Sequence, residues 1–241
     1  MGCVMEGFQV QFQGAFFKFI RGMIWLLPSF RYTAPKREKF IEPAVYICRH
    51  GNMRGPVLSM VNIPMPVHAW VFHVFANKEA CYKHYSEYTF SVRFGWKKWK
   101  ANLVSWLVAG GVARLINSMG GIPVYRNSAK VMSTFRLSLD ALGRGESLLI
   151  FPEVDYTAED GDVGKMYEGF LMLEKMYLKE TGKHLPFVPL HLSEKDRKIV
   201  LGEPICFRDD VPFAQERGEV IRQLQKALNE LKEADEEKGR E

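Results

Sequence analysis

The hydrophobic pattern of this chain is sharpest in three short runs at residues 44–48, 122–125 and 148–151. Each has the length and the β-branched or aromatic content of a buried strand. Residues 67–75, 187–192 and 198–201 read the same way. Helical periodicity fills the intervals at 101–118, at 129–142 before Gly143-Arg144-Gly145, and at 165–180 before Gly182. A last helix places Val220, Leu224, Leu228 and Leu231 on one face. Residues 52–66, punctuated by Gly55, Pro56, Pro64 and Pro66, predict a loop. Strands alternating with helices predict an α/β fold: a single mixed, mostly parallel sheet flanked by helices.

An amphipathic N-terminal helix is expected ahead of that sheet. Residues 8–27 are crowded with large apolar side chains, among them Phe16, Phe17, Phe19 and Trp25, but Lys18 and Arg21 interrupt them. A membrane-spanning helix needs roughly 20 mostly uncharged apolar residues, so the pattern predicts a helix lying in the membrane interface. Its aromatics would point down and its Lys and Arg toward the headgroups; the alternative is a helix packed on the protein's own core. Pro28 and Pro35 end it. Residues 1–39 then form an interfacial helix with a basic linker, and residues 40–241 the α/β domain. Residues 93–100 mix Phe94, Trp96 and Trp99 with three lysines. That mixture suits stacking on bases or a bilayer interface, and beside such a helix the membrane is the simpler partner; no nucleic acid is expected.

Composition narrows the setting. A 241-residue chain that is 47% hydrophobic and 25% charged folds around a substantial core. Its four cysteines have no paired spacing and no secretory signal precedes them, which predicts reduced thiols. Myristoylation of Gly2 is not expected, because Glu6 stands where Ser or Thr is needed. The net charge of +5 is uneven: six Lys or Arg face Glu6 and Glu38 in the first 40 residues, while acids dominate after Asn229. A basic front half points to an anionic surface, and the expected location is the cytoplasmic face of the cell membrane, peripheral or monotopic.

The chemistry sits where the strands end. His50 follows the first run closely, Arg126 the second and Glu153 the third. Ligands of open α/β sheets collect beyond the carboxyl ends of the strands, so a base, a cation and a carboxylate are expected to converge on one crevice. Rival chemistries are thin. Cys81-x-x-His84 lacks the second half of a zinc site, no Gly-x-Ser-x-Gly elbow or P-loop is present, and His68, His73, His184 and His191 read as strand or loop residues. No metal or cofactor is expected.

Taken together the motifs resemble the glycerophospholipid acyltransferases of the bacterial lysophosphatidate acyltransferase type, over roughly residues 40–205. Residues 120–126, Gly-Gly-Ile-Pro-Val-Tyr-Arg, are similar to that family's second motif, and Phe151-Pro152-Glu153 opens like its third, Phe-Pro-Glu-Gly-Thr-Arg. Residues 165–170 resemble the lysine-to-glycine helix start that follows. Val188-Pro189-Leu190 is similar to the fourth motif, and 201–205 to the Gly-x-Pro-Ile that closes the domain. The resemblance implies transfer of a fatty acyl group from acyl-CoA or acyl carrier protein to a hydroxyl of a lysophospholipid or related lipid. His50 would be the general base, with Arg126, Glu153 and Gly121 binding substrate.

Two departures qualify what the resemblance implies. The family pairs its His with an Asp five residues on, and that position is Gly55. In serine proteases the loss of the orienting carboxylate costs on the order of 10⁴ in rate. The third motif continues Val154-Asp155-Tyr156, without its Arg. Asp155 or Glu153 is the expected replacement for the orienting acid, and Arg54 for the missing guanidinium. The alternative is a catalytically impaired, membrane-bound protein that binds lipid or acyl carrier without turning it over.

Overall fold

Each of the predicted apolar runs contains a strand: β1 (Val45–Cys48), β2 (Val67–Phe72), β3 (Ile122–Val124), β4 (Ser147–Ile150), β5 (Phe187–Ser193) and β6 (Lys198–Leu201); the run at 67–75 leaves the sheet after Phe72, and His73–Ala76 form a 3₁₀ turn. The computed structural model describes residues 13–51, 53–126, 128–154 and 163–237. Strand order is β3-β2-β4-β1-β5-β6. All neighbours run parallel except β5 and β6. This is the single mixed, mostly parallel sheet that the alternation of elements predicts. Every residue of β1 and β4 is buried, as strands covered by helices on both faces require.

The helices are α1 (Ala15–Trp25), α2 (Arg54–Asn62), α3 (Lys78–Lys83), α4 (Lys98–Ser118), α5 (Val131–Gly143), α6 (Met172–Thr181) and α7 (Phe213–Glu237). Two of them correct the sequence reading. Residues 52–66 are not a loop but contain α2. Pro56 falls in its first turn, where a missing N–H breaks no helical hydrogen bond, and Pro64 lies just past its end, so the punctuation brackets a helix. Residues 165–167 are extended rather than helical: Met166 bridges Glu153 in antiparallel fashion, and α6 starts only after a 3₁₀ turn at Glu168–Leu171.

Packing divides the chain into two units, one of Met1–Ile20 with Trp70–Thr134, the other of Arg21–Ala69 with Phe135–Glu241. In the first, β2 contributes Trp70, Val71 and Phe72 to the pairing with β3. Asn77 caps α3 by accepting from the amides of Glu79 and Ala80, both at 3.0 Å. α4 buries a row of small residues, Ala101, Ser105, Ala109 and Ala113. Its last residue, Ser118, accepts from Gly14 and Phe17 and so anchors the first turn of α1.

The second unit holds the larger core. Tyr46, Ile47, Leu148, Leu149 and Phe187 are almost fully buried there, with Val220, Leu224 and Leu228 of α7 on the face that periodicity predicts. Arg21, which the sequence suggests would reach toward headgroups, instead donates to the carbonyls of Val61 and Ile63, each at 2.8 Å. It thereby satisfies acceptors that the C-terminus of α2 leaves open. Along α1 only Phe17 is buried, while Phe19, Met23 and Trp25 are exposed. No helix among the described residues is long and apolar enough to cross a membrane.

Candidate active site

The parallel register of β1 and β4 pairs Val45 with Leu148 and Ile47 with Ile150. Both strands therefore release their chains at the same edge, and the residues just beyond them meet. Arg49 and His50 leave β1; Phe151, Pro152 and Glu153 leave β4. Glu153 is 6% exposed. One carboxylate oxygen accepts from Arg49 Nε at 3.2 Å and the other from the His50 main-chain N–H at 2.5 Å. The His50 ring stands edge-on to Phe151, centroids 5.7 Å apart. Glu153 is itself fixed from behind: Val154 N–H donates to the Lys165 carbonyl at 3.0 Å and Tyr167 N–H to the Pro152 carbonyl at 2.8 Å.

A buried carboxylate needs a paired cation and filled acceptor sites, and Arg49 with the His50 amide supplies both. Glu153 thus acts on His50 through its backbone, holding the turn that presents the imidazole. Arg49 was not among the expected site residues. Its signal in the sequence was a cation placed directly after a fully apolar strand, where burial forces it to find an acid. Farther along β5, His191 is held below its ordinary pKa, chiefly by burial, against the hydrogen bond to Asp235 that favours the imidazolium; the Arg49 charge adds to the lowering. In the same wall the Cys48 thiol is pushed up to about 12 by burial, which makes it a packing group and not a nucleophile.

Gly55 has a specific reason. A Cβ built there would lie 2.0 Å from the Arg49 carbonyl oxygen and 2.7 Å from that of His50. Its amide donates to the His50 carbonyl at 3.0 Å. The start of α2 is therefore laid directly on the strand end that carries His50, with no volume for any side chain. The acid that the resembled family has at this position has no room here.

Arg54, at the first turn of α2, pairs with Glu194 at 3.0 Å, both side chains more than half exposed. Asp155 lies outside the described residues. Arg126 belongs to the first unit, exposed and two residues past β3. The segment before it is pinned there: the Tyr125 amide donates to Thr134 Oγ1 at 3.2 Å, Thr134 Oγ1 donates to the Pro123 carbonyl at 2.7 Å, and His73 stacks on Tyr125 at 4.8 Å. Gly121, also in the first unit, is buried. A Cβ there would press on Ile116 at 3.0 Å and Val71 at 3.3 Å, so its glycine lets the chain turn tightly from α4 into β3.

Among the described residues no group of three or more His, Cys, Asp or Glu is arranged to hold a metal ion. What the strand-end cluster can do chemically is present one imidazole, backed by an aromatic edge and a buried ion pair, at the carboxyl edge of a parallel sheet. No family model, curated protein or solved structure matches the chain.

Proposed function

We propose that this protein transfers a fatty acyl group from an acyl thioester, acyl-CoA or acyl carrier protein, to a hydroxyl of a lysophospholipid or related lipid at a membrane surface, with His50 as general base. The observation that carries the reading is the clamp of Glu153 on the main chain of His50 beside Arg49. A main chain held this way at a strand end fixes the point from which the imidazole projects, which is what positioned proton transfer asks for.

In this reading the neutral imidazole takes the acceptor's hydroxyl proton as its oxygen attacks the thioester carbonyl. The carbon–sulfur bond breaks, and the departing thiolate takes the proton back from the imidazolium. The resemblance to that family assigns Arg126 to a phosphate of donor or acceptor, a task suited to a guanidinium. Glu153 is a positioning residue, since it reaches His50 through the backbone. The motifs that resemble those of glycerophospholipid acyltransferases support the same chemistry.

One observation favours a second reading, a protein that binds lipid or acyl carrier without turnover: the close packing at Gly55 leaves no room for the orienting acid. Labelled acyl-CoA and acyl carrier protein, offered with a panel of lysolipids, separate the two. Transfer that falls on the order of 10²-fold or more in His50→Ala, with the fold intact, supports the enzyme. Retention of donor or lysolipid without any product in the wild type overturns it in favour of the binding protein.

A further inference from the structure

α4 is built inside out for a helix in water. The residues that pack it against its unit are small, Ala101, Ser105, Ala109 and Ala113 at intervals of four. The large ones point away: Trp99, Leu103, Trp106 and Leu107 are 68%, 52%, 64% and 63% exposed. Their spacing of i, i+4, i+7 and i+8 gathers them into one stripe. Single exposed apolar residues are ordinary, but a stripe of four large ones marks an interaction surface.

The charge beside this stripe names the partner. Between Glu87 and Asp140 the sequence contains no acid and eight Lys or Arg. Four of these, Arg93, Lys97, Lys98 and Lys100, are exposed at the N-terminal end of α4. Residues 70–134 hold nine Lys or Arg against Glu79 and Glu87, whereas the whole chain has 33 against 28, so the positive excess is concentrated in this unit. An apolar stripe with tryptophans along it and lysines at one end matches a bilayer whose headgroups are anionic. A single-stranded nucleic acid fits less well, because Leu103 and Leu107 offer neither a ring to stack on nor a hydrogen bond. A second copy fits less well too, since pairing two such faces would bring their lysines together.

We infer that the outward face of α4 docks this protein on an anionic membrane, with Trp99, Leu103, Trp106 and Leu107 entering the interface and Arg93, Lys97, Lys98 and Lys100 lying over the headgroups. The inference rests on the membrane side of the proposed function and not on its acyl chemistry. It locates the contact on α4 rather than on the N-terminal helix alone.

The test is flotation of the full chain with vesicles of equal phosphatidylglycerol and phosphatidylcholine, and with phosphatidylcholine alone. The wild type is expected to float with the anionic vesicles. A variant carrying Leu103→Ser, Trp106→Ser and Leu107→Ser, and separately one carrying Lys97→Glu, Lys98→Glu and Lys100→Glu, are expected to bind roughly tenfold or more weakly. Bilayer-located brominated lipid should quench wild-type tryptophan fluorescence, and replacing Trp99 and Trp106 by Phe should remove most of that quenching; this arm needs only conservative changes. Wild-type affinity in both multiple variants, or quenching that survives the Phe changes, overturns the inference and moves the contact elsewhere. Binding to a single-stranded oligonucleotide but not to vesicles, or a concentration-dependent dimer that the serine variant abolishes without vesicle binding, overturns it as well. Flotation is read without any acyl donor, so a failed transfer assay leaves this result standing, and the reverse holds too.

Discussion

An amide hydrogen bond and a missing Cβ decide what position 55 can be. The α-carbon of Gly55 lies so close to the Arg49 and His50 carbonyls that any side chain must push α2 off the strand end. Gly55→Asp, the change that would restore the His-x₄-Asp spacing, is therefore expected to destabilise the protein by roughly 2–4 kcal/mol rather than to raise transfer. Urea unfolding with the transfer assay checks both: a variant as stable as the wild type and faster would show that the start of α2 shifts easily off the strand end. His50, Glu153 and Gly55 were all legible from the motifs at the strand ends. What each touches was not. The His50–Glu153 contact joins residues 103 positions apart, and no local pattern carries information at that range.

At the level of elements, an imidazole between α6 and β5 ties the first turn of α6 to the segment that links β6 and α7. His184 Nδ1 meets the Glu174 carboxylate at 2.5 Å and its Nε2 meets Asp209 at 2.9 Å, while the second Glu174 oxygen accepts from the Leu185 amide at 2.8 Å. The Glu174 hydrogen bond, then that of Asp209, raises the His184 pKa above its ordinary value. A raised pKa in the folded state means that this contribution to stability is complete below the unfolded value near 6.5 and fades as pH climbs through the folded one. The stability gap between wild type and His184→Gln should accordingly shrink from pH 6 to pH 9; a gap that is constant or widens would show that the imidazolium form is not the stabilising one. Periodicity found α6 and β5, yet read His184 only as a loop residue, because a lone histidine outside a motif announces no partner. The same limit explains α2. Glycine and proline are turn signals in isolation, but Pro56 in a first turn and Gly55 against a strand end are the residues that let this helix start where it does.

On the scale of the whole molecule the net charge of +5 conceals an imbalance, with the positive excess concentrated in 70–134, where Glu79 and Glu87 are the only acids. Vesicle binding should for this reason depend on salt. Raising NaCl from 0.1 M, where the Debye length is about 10 Å, toward 1 M, where it is about 3 Å, is expected to weaken binding to phosphatidylglycerol vesicles several-fold. Part of the affinity should remain through Trp99, Leu103, Trp106 and Leu107. Flotation across that range checks it, and affinity indifferent to salt would show that the lysines play no part.

Strand composition, helix periodicity and the chemistry placed just after each strand are properties of neighbouring residues, and from them follow the α/β class, the mostly parallel sheet and the position of His50, Arg126 and Glu153 just past strand ends. Tertiary structure alone decided that Glu153 grips the backbone of His50, that Arg49 is its counter-ion, that Gly55 has no room for an acid and that Arg21 caps α2. It also decided which face of α4 looks outward. Polar side chains are scattered around that helix, so polarity could not orient it; side-chain size did, because the row Ala101, Ser105, Ala109 and Ala113 is small enough to let the helix pack closely.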